Sequence, residues 1–217
     1  LIERAAYKPL RSAPRMSVMI SAIGVSYLLQ NLATYITGGL ARPYPEIPFL
    51  KKSFAVGSLN IKIITLLTPV LTILLVISLV IFIKHTKTGM AMRAVSKDFD
   101  TARLMGIKVN SVITVTFIIG SFLAGVGSIL YFTNYGQVSP TIGAMPGLKA
   151  FVAAVFGGIG SIPGAVLGAY IIGVCESLIK ANDSIEIFSN AFTFALLIVV
   201  LLFKPNGMFG EKLTEKV

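Results

Sequence analysis

Few residues in this 217-residue chain could do chemistry, and their types limit what that chemistry is. Gln30 and Asn31 sit side by side in one uncharged apolar run, and Glu176 stands toward the far end of another. In hydrocarbon such groups face a pathway or a partner helix, and for Gln30 and Asn31 both uses stay open. Glu176 is near enough to the end of its run to reach surface water. The single Cys175 and single His85 supply neither an intrachain disulfide nor a Cys/His zinc set. No Ser/His/Asp set and no paired carboxylates are apparent, so catalysis by this chain is not expected. The run Gly158-Ile-Gly160-Ser-Ile-Pro163-Gly164 has the glycine density of a phosphate loop. It lacks the lysine, the strand-to-helix setting and the dinucleotide spacing, so nucleotide binding is not expected there.

The elements that hold these residues are set by composition. Hydrophobic residues make up 55% of the chain and charged residues 13%, with a mean hydropathy of +0.84. A water-facing surface usually needs about 25% charged residues. The net charge of +10 would suit nucleic acid only on a soluble basic face, and in an apolar chain it reads instead as positive-inside bias. Residues 16–37, 61–83 and 111–133 are long apolar runs, the first and third without a charge, and the first, 22 residues long, reaches about 33 Å as a helix. Between the first two, prolines 43, 45 and 48 with Lys51 and Lys52 predict an extramembrane loop. Residues 150–175 are also uncharged, but Gly157, Gly158, Gly160, Pro163 and Gly164 break the run. The pattern predicts a short helix near 147–160, a tight turn, and a second helix from Gly164 to about Lys180. The last run is 187–203. The expected fold is therefore all-α, a polytopic transmembrane bundle of about six spanning helices forming one domain over 1–217.

Thirteen of the nineteen Lys and Arg residues fall in the N-terminal segment, the 84–110 loop and the C-terminal tail. These three belong together in the cytoplasm, which requires six crossings and argues against a re-entrant 147–160 segment. Small residues recur four apart at Gly120, Ala124 and Ser128, at Ala150, Ala154 and Gly158, and at Gly164 and Gly168. Such rows let helices approach closely, either for a compact bundle or for sliding between conformations. In the 84–110 loop, Met90, Ala94, Val95, Phe99, Ala102 and Met105 recur at helical intervals, and Gly106 is placed to end a helix. One or two amphipathic helices are predicted, lying on lipid or docking into a soluble partner.

At this loop the chain resembles the permeases of branched-chain amino acid ABC importers, of the LivH type. The resemblance rests on the run from Arg93 through Asp98, Ala102 and Arg103 to Gly106-Ile107. It also rests on Ile2 to Arg11, on Gly147 to Gly164, and on Lys204-Pro-Asn-Gly-Met-Phe-Gly210. Four motifs in order cover essentially the whole chain. The resemblance implies an ABC-importer permease architecture in a bacterial inner membrane, with loop and C-terminus cytoplasmic. It implies that Arg93, Asp98, Ala102, Arg103 and Gly106 couple to an ATPase, with Ala102 and Gly106 entering its groove. The implied partners are a second permease, two cytoplasmic ATPase subunits, an extracytoplasmic binding protein and the lipid bilayer, but no nucleic acid. ATP and Mg bind the ATPases, and no cofactor binds this chain. The family carries further membrane segments before Glu3, so the chain is expected to be missing its beginning. Branched-chain amino acids are the expected cargo, with urea, short amides or another small solute as the alternative. A stand-alone channel or secondary transporter would need intramembrane ionisable groups or an inverted repeat, and a structural subunit would have no pathway at all.

Overall fold

The computed structural model describes residues 2–7, 9–10, 15–45, 53–56, 59–158, 160–182, 185–204 and 207–208. Most of the C-terminal tail, including Lys212 and Lys216, and part of the 204–210 motif lie outside the described residues. The chain divides into two compact units, residues 1–141 and 142–217.

In the first unit a short π-helical turn, Glu3–Tyr7, precedes α1 (Arg15–Thr37). Next come β1 (Arg42–Pro43), the strands β2 (Ser53–Val56) and β3 (Leu59–Lys62), and α2 (Ile63–His85). The long helix α5 (Val109–Tyr135) follows two short ones, α3 (Lys87–Lys97) and α4 (Phe99–Leu104). α2 continues through Pro69, which removes one backbone bond without ending the helix. Residues 38–60, expected to be a loop, take part in antiparallel pairings. β2 pairs with β3 in register Ser53 to Lys62, and β1 pairs with β4 (Gln137–Val138) in register Arg42 to Val138. The β1–β4 pair ties the exit of α1 to the exit of α5. Gly136, at φ 72°, ends α5 in the left-handed region, its carbonyl accepts from the Tyr44 amide at 3.0 Å, and the Tyr44 ring lies 6.0 Å from that of Phe132, tilted by 32°. At the opposite end of α5, Thr114 donates to Glu3 at 3.4 Å and Tyr7 meets Phe117 at 5.3 Å between ring centroids. The N-terminal turn and the 84–110 segment thus share one end of this unit, and the β1–β4 pair holds the other.

The second unit is α6 (Ala144–Gly157), α7 (Ile162–Lys180) and α8 (Ser189–Phe203). Gly158 and Gly160 turn the chain at φ 108° and 99°, conformations that a side chain resists. Ser161 then caps α7 by accepting from the Gly164 amide, and Pro163 sits in its first turn, where no amide is needed. Val152, Ala153, Phe156 and Ile172 form the core, with Phe194, Leu197 and Val200 of α8 packed against it. The Met208 amide donates to the Phe156 carbonyl at 2.9 Å, so α6 and α8 end on the same side of the unit.

Among the described residues, five helices are long and apolar enough to cross a membrane: Met16–Thr37, Ile63–His85, Val109–Tyr135, Ile162–Lys180 and Glu186–Phe203. The remaining long helix of the second unit, α6, has 14 residues and rises about 21 Å, against a hydrocarbon core of about 30 Å. Its hairpin partner α7 has 19 residues. α6 is thus an apolar helix shorter than a full crossing, and the bundle has about six membrane helices.

Candidate functional site

The 84–110 segment folds as a compact knob on the helix ends. Thr86 caps α3 through the Gly89 amide at 3.0 Å, and Gly89 then meets α2 backbone to backbone. A Cβ on Gly89 would lie 2.5 Å from the Ile83 carbonyl oxygen, so only glycine allows this corner. Val95, Ala102, Val109 and Val112 bury together, with Ala91, Met92, Ile107 and Ile113 around them, so α3 and α4 pack on the first turns of α5. Gly89→Ala is expected to loosen this corner by about 1–3 kcal/mol. The measurement is thermal unfolding of the purified protein, and an unchanged melting temperature would sink the close-contact account.

Asp98 separates the two short helices. Its carboxylate accepts from the Thr101 hydroxyl and from the amides of Asp100 and Thr101, which makes it the N-cap of α4. The Thr101 hydroxyl first, and then those two amides, hold the Asp98 carboxyl below the usual carboxylate range. A depressed pKa gives stability that is present above the unfolded-state value and is lost as pH falls through the folded one. The cap is therefore expected to persist through mild acid and to fray below about pH 4. Hydrogen-exchange protection of the 98–106 peptide reads this, and fraying near neutral pH would contradict it.

The far end of α4 closes with two bonds, from the Gly106 amide to the Arg103 carbonyl and from the Ile107 amide to the Ala102 carbonyl. With Gly106 at φ 79°, this is a Schellman ending. Ala102, expected to enter a partner's groove, is only 3% exposed and packs inward instead. Leu104 and Met105 are the residues held outward, at 88% and 78% exposure, with Phe99 half-exposed beside them. Arg103 lies 3.9 Å from Asp100 on the exposed face, and the Arg93 guanidinium reaches the Lys84 carbonyl at 3.4 Å. Leu104 and Met105 form the prominent apolar surface of the knob. Only Met105 figured in the sequence periodicity, and there as part of the helical stripe.

The intramembrane polar residues fall in different places. In the first unit, Gln30 donates to the Ser26 hydroxyl at 3.4 Å and Asn31 to the Tyr27 carbonyl at 2.8 Å. Both bonds stay inside α1. In the second unit, Glu176 of α7 meets Lys149 of α6 and Lys180 of its own helix, each at 2.6 Å and both on Oε1. Lys149 is a partner that sequence reasoning missed, because the uncharged run it measured begins one residue later. Beside Glu176 an apolar cleft of about 270 Å³ opens between α7 and α8.

The glycines of the 157–164 stretch bring α6 and α7 into backbone contact. A Cβ on Gly157 would collide with the Gly164 carbonyl, and one on Gly168 would lie 2.6 Å from the Ala153 carbonyl oxygen. The α6 row in contact is thus Ala153 and Gly157, one position off the row Ala150, Ala154 and Gly158. Gly158 is instead closed over by Gly207, where an added Cβ would lie 2.5 Å from the Gly158 Cα.

Long apolar helices, an extramembrane knob with an apolar tip, and a charge cluster near one end of a hairpin define a polytopic membrane protein. The chain belongs to the branched-chain amino acid transport system permease family, whose model matches residues 5–201. It is 42% identical, over its whole length and 71% of the relative's, to the high-affinity branched-chain amino acid transport system permease protein LivH of Salmonella typhimurium. It is 41% identical, with the same coverage, to the corresponding protein BraD of Pseudomonas aeruginosa. An autoinducer 2 import system permease protein, LsrC of Yersinia enterocolitica, is 26% identical over 76% of this chain and 46% of its own. No solved structure matches. The chain is a transport permease and a multi-pass membrane protein of the LivH type.

Proposed function

We propose that this chain is the membrane-spanning permease subunit of an ABC importer that brings branched-chain amino acids into a bacterial cell. The observation that carries the reading is similarity along the entire chain to permeases named for that cargo. Cargo arrives on an extracytoplasmic binding protein and passes between this chain and a second permease. Two cytoplasmic ATPases, which hold the ATP and Mg, drive the cycle. The knob is the contact with one of them. Its apolar tip, Leu104 and Met105, enters the ATPase, Arg93 and Arg103 flank that contact, and Asp98, Ala102 and Gly106 hold the tip in shape. Gln30, Asn31 and Glu176 are the polar groups assigned to the path.

Positive-inside bias puts the knob and the tail in the cytoplasm. Cysteines placed at Lys97 and Lys212 are expected to label from that face, and one at Arg42 from the other. Labelling of Lys97 and Lys212 positions from opposite faces would overturn the six-crossing arrangement. The functional test is reconstitution of the complete transporter in vesicles. ATP and loaded binding protein should drive leucine uptake, and Leu104→Glu should prevent the ATPase from co-purifying. Uptake that needs neither ATP nor binding protein would favour a channel or secondary transporter.

A further inference from the structure

We propose that the α6–α7 hairpin is a hinge with an ionic latch. Its backbones stay joined at Gly157 and Gly164, and its far end opens and closes as Lys149 leaves and rejoins Glu176. The inference rests on the proposed function for one point, that this far end faces the extracytoplasmic side from which cargo enters.

The facing rows grade from no side chain to long ones. On α6 the row runs Gly157, Ala153, Lys149, and on α7 it runs Gly164, Gly168, Ile172, Glu176, each at the spacing of four that makes one ridge of a helix. At Gly157 and Gly164 main chain meets main chain, and a Cβ on Gly168 would lie 2.6 Å from the Ala153 carbonyl oxygen. Ile172 then clusters with Val152, Ala153 and Phe156. The rows end at Lys149 and Glu176, whose side chains meet at 2.6 Å, the one ion pair between α6 and α7 among the described residues. Backbone contact fixes the apex. Two long, flexible side chains hold the other end, and they can part without unpacking the apex.

Lys180 is what lets the pair part. It lies one turn further along α7 and meets the same Glu176 oxygen at 2.6 Å. When α6 swings away, Glu176 keeps a partner on its own helix, so the separation does not strand a bare carboxylate at low dielectric, the loss that makes breaking a buried pair severe. Lys149 is already 21% exposed and stands in the second turn of α6, where its stem carries the ammonium to water. Glu176 lies about 18 Å along α7 from Gly164. Packed helices accommodate a spread of about 15–20° in crossing angle, and a swing of that size opens the latch end by about 5–6 Å.

The test uses the complete transporter in lipid nanodiscs, with Cys175→Ser so that this chain has no other cysteine. Spin labels go on Met145 and Ser177 near the latch, and on Ala154 and Leu167 near the apex. Between the nucleotide-free state and the vanadate-trapped state with loaded binding protein, the latch distance is expected to shift by about 5–6 Å and the apex distance by less than about 2 Å. Lys149→Met should raise the ratio of wide to close latch populations about tenfold without nucleotide. In vesicles, Lys149→Cys with Glu176→Cys, once oxidised to a disulfide, should lose at least about nine-tenths of leucine uptake and regain it on reduction. A latch distance that is the same in both states and in Lys149→Met makes the pair a fixed brace and overturns the latch. Equal shifts at both label pairs overturn the hinge, and so does full uptake by the disulfide form, which leaves the proposed function standing. Latch opening in a transporter that takes up no leucine supports the hinge and overturns the proposed function instead. Should Lys149→Met fail to accumulate, the two-state distances and the disulfide decide alone.

Discussion

Gly106→Val is expected to lower substrate-stimulated ATP hydrolysis about tenfold or more in the assembled transporter, while the chain still inserts in the membrane. Gly106 lies at φ 79°, and no atom comes within 4 Å of where its Cβ would be. Space is therefore not the obstacle. The left-handed conformation costs an ordinary L-residue about 1–2 kcal/mol, and a β-branched one more. A penalty of about 1.4 kcal/mol on a local equilibrium is a factor of ten. With the α4 ending opened, the Ile107 amide no longer reaches the Ala102 carbonyl, and Leu104 and Met105 lose their fixed bearing. Asparagine tolerates this conformation, so Gly106→Asn should keep most of the coupling. Equal loss in both variants would mean that the partner requires a bare backbone there, and wild-type hydrolysis in the valine variant would remove Gly106 from coupling altogether.

The second large effect is expected from Gly157→Val. Any Cβ at this position collides with the Gly164 carbonyl across the α6–α7 contact. Main-chain atoms cannot rotate aside as a side chain can, so the hairpin has to separate. The expected loss is about 3 kcal/mol or more, seen as failure of the full-length protein to accumulate in the membrane or as a lowered unfolding midpoint. Gly120→Ala is the contrasting change. A Cβ there has no neighbour within 4 Å in this chain, and accumulation should stay normal. Similar behaviour of the two variants would show that the α6–α7 approach does not carry the stability assigned to it.

Much of the architecture is legible in the sequence because lipid imposes few solutions on the backbone. Uncharged runs marked the long helices. The glycine-proline cluster placed a hairpin whose helices, Ala144–Gly157 and Ile162–Lys180, start within three residues of those expected. What escaped depended on contacts between distant segments. The β1–β4 pair joins residues about a hundred positions apart, and β-branched or aromatic alternation does not announce a two-residue strand. The facing row on α6 was missed by one residue because small residues occupy adjacent rows, and sequence spacing cannot say which row meets α7. Ala102 fitted the helical stripe, but periodicity does not distinguish a face turned to a partner from one turned to α5. Lys149 went unpaired with Glu176 because their proximity exists only once the hairpin closes.

Hydroxyl groups in the membrane helices have a mechanical consequence. Thr34, Thr37, Thr68, Thr72, Thr116, Thr133 and Thr193 each donate to the carbonyl four residues back in the same helix. These polar groups are satisfied before any two helices meet. A helix carrying them can shift along its neighbour without rupturing a directional bond at those positions, so the contacts they occupy behave as smooth bearings rather than as ratchet teeth. Where helices of the second unit meet, attachment rests instead on backbone contacts such as Gly157 with Gly164, on apolar packing, and on Lys149 meeting Glu176.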